Sequence, residues 1–408
     1  MLKNKLSNTL VNISILVNVC IIFIPSKFKI YPILLFLLSA IYFKFKSVNN
    51  SKFSFGKILL ISGLIFIYSL SNLFSKTSTD VFYKLSTMAS LVAYPIIFAL
   101  LESSRFVIST KNTRNTYNLY VIALVLFPII SFFYLFKMKF TFAETIIHYS
   151  NLINIQLNNF SIHPIYLSIY IAIAVLFLVE LIKNTNLKTL KITYIVTSIF
   201  LFIVLAILMR RGPIIYLFIT LIVLFYSYFK LKKTVLSFSI LMLVLAISIY
   251  VIPKYKNENR FNDLINNAFV NKTESSVGIR FNIYNCAVQK IGESPYFGYG
   301  LDNVQNELDS CYLNKKIDIS SINYNSHNQY FSILLTAGIF GFVLYLFTLY
   351  KTFKILNQKK SILGLSLFIF FLLNFLTENV LERENGVILY SFFMSYFLFQ
   401  NEESLIES

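Results

Sequence analysis

"NYNSHNQYFSILLTAGIFGFVLYL", residues 323–346, changes character at Gln329. Ahead of it stand Asn, Ser and one histidine, His327; behind it runs an apolar stretch broken only by small residues. That stretch approaches the roughly 20 residues an α-helix needs to cross a bilayer core. A polar edge leading into such a run reads as the water boundary of a membrane span. Similar runs recur near residues 6–24, 30–43, 57–75, 85–101, 117–136, 163–182, 192–209, 213–229, 234–252, 361–377 and 386–400, so the expected fold is an all-α polytopic membrane protein with about twelve transmembrane helices. The composition agrees: 57% hydrophobic, 17% aromatic and 13% charged over 408 residues, far from a soluble domain of this size.

The net charge of +18 follows the same topology. With the N-terminus inside, nineteen Lys and Arg fall on cytoplasmic segments and nine on the short outer loops. This is the positive-inside pattern. No basic stripe with interleaved aromatics is left over as a nucleic-acid surface. Lys3 and Lys5 precede the first apolar run as in a signal peptide, but no small-x-small cleavage site follows, so a retained first helix is expected.

The layout divides into helices 1–9 (residues 1–252), a long outer loop (253–326) and helices 10–12 (327–408). The loop carries eight basic and eight acidic side chains and is too long for a bare connector. Within it "SSVGIRFNIYNCAVQKIGESP" predicts a helix that ends at Gly292 before Pro295, with Tyr284, Val288 and Ile291 on one packed face and Arg280 a turn earlier. The glycines of "SPYFGYGLDN" predict turns back to the membrane. Cys286 and Cys311 lie in this loop; two unpaired residues is the plainer reading, with a disulfide open to them in an oxidising compartment.

Three groups carry candidate chemistry. In "LMRRGPIIYLF" Arg210 and Arg211 end one span on the outer side, and Pro213 opens the next helix. A guanidinium beside a helix N-terminus makes an anion site, while snorkelling to the interface is the plainer alternative. Arg280 points along its helix, and an ordinary ion pair would explain it equally well. His327 is either a loop histidine satisfied by Asn325 and Asn328 or a proton acceptor, since its ordinary pKa lies near neutrality. His163, opening "HPIYLSIYIA", has the same two readings. Neither an Asp-rich pair suited to magnesium nor a His/Cys cluster, P-loop or dinucleotide fingerprint is evident in the sequence. A nucleotide-sugar enzyme that holds its diphosphate through metal is therefore disfavoured, and arginines are suited to hold a lipid pyrophosphate instead.

Taken in order, "HPIYLSIYIA", "RRGPIIYL", "GIRFNIYNCAVQKIGESPYFGYGLDN", "SHNQYFSILLTAGIFGFVLYL" and "TENVLERENGVILYSFF" resemble the O-antigen ligase and O-antigen polymerase superfamily of bacterial membrane glycosyltransferases, most strongly over residues 190–345. The resemblance implies a GT-C-like fold in the bacterial inner membrane and an active site on the periplasmic face. It implies inverting transfer of a glycan from undecaprenyl pyrophosphate, without metal or other cofactor. By position, Arg211 and Arg280 match the arginines that hold the pyrophosphate, with Arg210 where a small residue is usual; His327 matches the histidine near the acceptor hydroxyl; Glu378 matches an acidic residue of the last outer loop. Asn325, Asn328, Gln329, Tyr284 and His163 are expected sugar or acceptor contacts. The acceptor is lipid A–core for a ligase, a growing glycan for a polymerase, or a protein hydroxyl for an oligosaccharyltransferase, with ligase favoured by "HPIYLSIYIA". A polysaccharide flippase is the rival of another class.

Overall fold

The structure is a computed structural model that describes residues 2–47, 51–72, 79–138, 141–228, 276–314 and 324–400. Every regular element among them is helical. In chain order the helices are α1 (Leu2–Val19), α2 (Ile30–Lys46), α3 (Phe55–Ser71), α4 (Thr79–Thr87), α5 (Ser90–Ser103), α6 (Thr110–Lys137), α7 (Phe142–Ile155), α8 (Pro164–Lys183) and α9 (Lys188–Leu208). There follow α10 (Arg211–Tyr228), then α11 (Ser276–Glu293), α12 (Gly300–Asn314), α13 (Gln329–Gln358), α14 (Ile362–Asn374) and α15 (Glu384–Phe399).

Seven helices among the described residues are long and apolar enough to cross a membrane, and Leu6–Val19, Phe55–Ser71 and Ile362–Asn374 are shorter apolar helices. The expected count of twelve spans is therefore not reached on length and composition, and the ninth of them, 234–252, lies outside the described residues. So do 253–275 and 315–323 of the long loop.

Burial separates the helices that face neighbours from those that face outward. His163 caps α8 by accepting the Ile165 amide on Nδ1 at 3.4 Å, and Pro164 stands at the first position, where its missing N–H costs nothing. From there the helix is apolar on every side and buried almost throughout, as a helix at the centre of a bundle is. By contrast α9 exposes Ile192, Ile195, Val196, Ile199 and Ile203, a stripe at helical spacing. A face of that kind is stable against lipid and costly against water.

Cross-helix polar contacts fix the two ends of the bundle. At one end Lys57 pairs with Glu102, Lys44 donates to Ser103 and Lys359 to the Gln400 carbonyl. At the other, Lys29 meets Glu384 and Asn385, Tyr68 meets Glu382, and Arg210 meets Ser150. The second end carries α11 and α12.

The long loop holds two helices, not one. Its glycine-rich stretch turns into α12, and α11, α12 and the start of α13 enclose a small core of Ile283, Ala287, Leu308, Tyr312 and Leu335. Cys286 and Cys311 are disulfide-bonded across it, with Cα atoms 5.8 Å apart. The packed face of α11 also differs from expectation: Val288 is 57% exposed, while Ile283, Cys286 and Ala287 are buried. With α12 on one flank and α13 on the other, the buried stripe shifts off the Tyr284–Val288–Ile291 line, and the helix runs one residue past Gly292.

The same loop is stitched into a break in α13. Gly338 leaves the helical region (φ +62°), and the amides of Ile339 and Tyr299 bond to Pro295 and Leu335 carbonyls at 2.8 and 2.7 Å. A Cβ on Gly338 would lie 2.1 Å from the Tyr296 carbonyl oxygen, and one on Gly298 (φ +69°) would lie 2.5 Å from that of Leu335. Only glycine permits either backbone, and both are needed for the loop to sit on α13.

Candidate active site

The residues ahead of α13 are organised by capping. Asn328 is the N-cap, its Oδ1 accepting the amides of Tyr330 and Phe331 at 2.9 and 3.2 Å. To reach that cap the chain passes through His327 with φ +46°, a left-handed conformation that histidine rarely adopts and that costs about 1 kcal/mol or more. Three side chains hold it there. Asn325 Oδ1 accepts the His327 amide at 3.1 Å, Ser326 bonds Asn328 O and Asn379 Oδ1, and the Tyr284 hydroxyl reaches the carbonyls of His327 and Leu376.

Around that loop three chain-distant side chains meet. Arg280 Nη2 donates to Glu378 Oε1 at 2.8 Å, and His327 Nδ1 lies 3.5 Å from Glu378 Oε2. The carboxylate is thus shared between a guanidinium and an imidazole, and its side chain is only 10% exposed. Arg280 is 39% exposed and His327 23%, so both reach the surface while Glu378 lies beneath them.

The arginine pair arrives by a different route. Met209 closes α9 in the left-handed region, and α10 begins two residues later. Arg210 turns to α7, donating to Ser150 at 3.0 Å. Arg211 occupies the first turn of α10, where the next residue, Gly212, lies against Thr377, the neighbour of Glu378; a Cβ there would stand 3.0 Å from the threonine hydroxyl. The N-terminus of α10 therefore adjoins the loop that carries Glu378. His163 shares this electrostatic surrounding. Its ring is open at the mouth, but the protein packed around it, and then the charge of Arg210, lower its pKa from 6.5 to about 4. Glu378 opposes that shift; Arg383 and His327 add to it.

Arg280, His327, Glu378 and Tyr284 are thus in contact, with Arg210, Arg211 and His163 on the adjoining helix ends. Asn328 and Gln329 face inward instead. Gln329 is fully buried, accepts the Leu381 amide at 2.8 Å and donates to Glu382 at 3.0 Å, so its side chain is held by the frame of residues 379–382. Asn325 supports the His327 backbone.

Glu382 was missed by the sequence reading. Its Oε1 accepts from Tyr68, Ser332 and Gln329 and its Oε2 from Asn379, fastening residues 379–382 to α3 and α13. The available signal was a second acid one turn after Glu378 in "TENVLER". Among the described residues, no group of three or more His, Cys, Asp or Glu side chains is placed to hold a metal.

Comparison with known proteins bears on this same part of the chain. An uncharacterized protein of Haemophilus influenzae is 25% identical over 180 residues, which cover 40% of this chain and 45% of that protein's length. The match thus spans less than half of that relative. Residues 196–346, which hold Arg210, Arg211, Arg280 and His327, match the family described as O-antigen ligase.

Proposed function

We propose that the protein transfers a glycan from undecaprenyl pyrophosphate to an acceptor hydroxyl at the periplasmic face of the bacterial inner membrane, as an inverting glycosyltransferase of the ligase type. The contact of Arg280 and His327 through one nearly buried carboxylate carries this reading. The acceptor oxygen attacks the anomeric carbon while the bond to the pyrophosphate oxygen breaks, and the acceptor proton passes to His327. Glu378 lies close enough to stabilise the imidazolium so formed and to hold the ring in one orientation.

Negative charge builds on the departing pyrophosphate. A guanidinium presents five N–H donors, and the Glu378 bond occupies one of those on Arg280. Arg280, together with Arg211 at the start of α10, offsets the charge in the transition state, the part played elsewhere by metal ions or an oxyanion hole. A neutral His163 at the same rim, its Nδ1 taken by the Ile165 amide, has Nε2–H left to donate to a sugar oxygen.

The ligase reading names lipid A–core as acceptor; a glycan or a protein hydroxyl would serve the same donor chemistry. Gene deletion followed by lipopolysaccharide electrophoresis separates them. Bare core with long glycan still on its lipid carrier is expected. Core bearing a single repeat would instead mean a polymerase, and intact lipopolysaccharide with unmodified glycoproteins a protein oligosaccharyltransferase. Donor stranded on the cytoplasmic leaflet would replace the enzyme with a flippase. In complementation, Arg211→Ala, Arg280→Ala and His327→Ala each leave the deletion phenotype in place while the protein still inserts.

A further inference from the structure

Two large rings stand bare in the turn between α11 and α12. Tyr296 is 63% exposed and Phe297 69%, although the backbone that carries them is held firmly. The carbonyls of Pro295 and Tyr296 accept the Ile339 and Phe340 amides, the Tyr299 amide donates to the Leu335 carbonyl, and Ser294 Oγ donates to the Gly298 carbonyl. A turn tied down at both ends has no slack to fold its rings inward. In water, adjacent rings exposed to this degree are unfavourable.

Their surroundings change character at the break in α13. No residue from 329 to 338 is exposed, whereas Ile339, Phe340, Val343, Leu344, Phe347 and Tyr350 are, a stripe at helical spacing. Protein therefore covers the helix as far as Gly338, and an apolar face suited to lipid begins directly after it. The Phe340 ring lies 5.3 Å from that of Phe297 and 6.4 Å from that of Tyr296, so the two rings continue this stripe past the break. Beneath the turn, between α3 and α13, runs a groove of about 540 Å³ lined by Ile67, Leu70, Phe297 and Leu344 among others. Bound water needs two to four polar partners, and few are on offer there.

A polar limit lies four residues further on. Asn72, just past the end of α3, accepts the Leu301 amide at 3.0 Å, and Lys84 donates to the Leu301 carbonyl at 2.9 Å. Polar side chains at Leu301 and bare rings at Phe297 put the passage from water to hydrocarbon between them. Aromatic rings gather at that level of a membrane.

We infer that the 295–300 turn is a membrane anchor: Tyr296 and Phe297 lie among lipid chains at the headgroup boundary, and the α11–α12 unit rests on the bilayer. The partner is the upper acyl region of bilayer phospholipid, which an interfacial apolar face enters to about 5–10 Å. The anchor does not depend on the glycan-transfer reading. It sets how α11, and with it Arg280, sits over the membrane, whatever Arg280 binds.

The chain has no tryptophan, so a single introduced one reports a single position. The test places full-length Tyr296→Trp and Phe297→Trp separately in phosphatidylcholine nanodiscs whose acyl chains are brominated near the headgroup, near the methyl end, or not at all. Both tryptophans are expected to emit to the blue of tryptophan in water. They should lose most of their emission to the shallow bromines, less to the deep ones, and almost none to iodide in the buffer. Phe347→Trp, further along the α13 stripe, should show the reverse order of the two bromine depths. Emission quenched by iodide and not by brominated lipid overturns the inference, because the rings would then stand in water. Blue emission insensitive to both quenchers overturns it too, since a second copy of the chain would be covering them. The unsubstituted protein supplies an independent reading: a phospholipid carrying a diazirine at the shallow position should label residues 295–300 on illumination. Labelling confined to other segments would remove the anchor.

Discussion

Arg280 and Glu378 are 98 residues apart in the chain and 2.8 Å apart in the fold. One belongs to α11 and the other to the segment between α14 and α15, so the pair exists only when those two segments are docked. Glu378 is far less exposed than its partner, so removing Arg280 leaves a carboxylate poorly solvated and facing His327 alone.

Arg280→Ala and Glu378→Gln are therefore expected to fail together. Each single variant should lower glycan transfer by at least about a hundredfold, and the double variant should be no worse than the poorer single one, a coupling of at least about 2.7 kcal/mol. Transfer from a purified lipid-linked glycan, measured for all four proteins, gives the cycle directly. Strictly additive losses would mean that the two residues act separately.

The disulfide leads to a second expectation. Cys286 and Cys311 close a loop of 25 residues and are both almost fully buried. Their replacement by serine should lower the local stability of the α11–α12 unit by about 3 kcal/mol. Arg280 lies on the same helix, so transfer should fall with it. Proteolytic nicking within α11 and α12, compared between wild-type and the double serine variant, measures this. Equal protection in the two would show that the small apolar core holds the loop without the bridge.

Much of this site was visible in the residues, and what was hidden has definite causes. Arg280 and His327 stood out because ionisable groups at the edge of a membrane are costly and rarely idle. Glu378 was undervalued: an acid beside arginines proposed to hold an anion looks misplaced until a guanidinium and an imidazole are seen on either side of it. Asn328 and Gln329 misled in the opposite sense. Polar residues where a span begins resemble binding residues, yet the start of α13 needs a cap and the Leu381 amide needs an acceptor. Val288 was placed on the wrong face because periodicity describes one flat contact, and α11 has neighbours on two sides. The cysteine pairing depended on how α12 folds back over α11, which spacing does not encode.

The break in α13 offers a structural prediction away from the charges. Gly338→Ala places a methyl 2.1 Å from the Tyr296 carbonyl oxygen at a residue already in a left-handed conformation. Neither partner yields easily, because the contact is with backbone. A loss of about 2 kcal/mol or more is expected, with the 295–300 turn released from the helix. Hydrogen exchange at the Ile339 and Tyr299 amides should rise in step. Exchange as slow as in wild-type would mean that the turn tolerates the methyl and that glycine is not required there.

The last prediction concerns pH. His163 has its pKa lowered from 6.5 to about 4, first by burial and next by Arg210, with Arg383 and His327 acting in the same direction and Glu378 against them. Between those values the unfolded chain binds a proton at this imidazole that the folded chain does not. Stability at this group is therefore complete above about pH 6.5 and declines as pH falls toward 4; the loss is reduced by screening, because the ring is partly open to solvent. Arg210→Gln removes the second cause and leaves the first. The His163 pKa should then rise while staying below 6.5, and NMR titration of the ring protons reads that change. A value that does not move would place the Arg210 charge out of reach of His163 and leave burial as the whole cause. A value near 6.5 in the wild-type protein would mean that water, not the neighbouring helices, surrounds the imidazole at the mouth of the site.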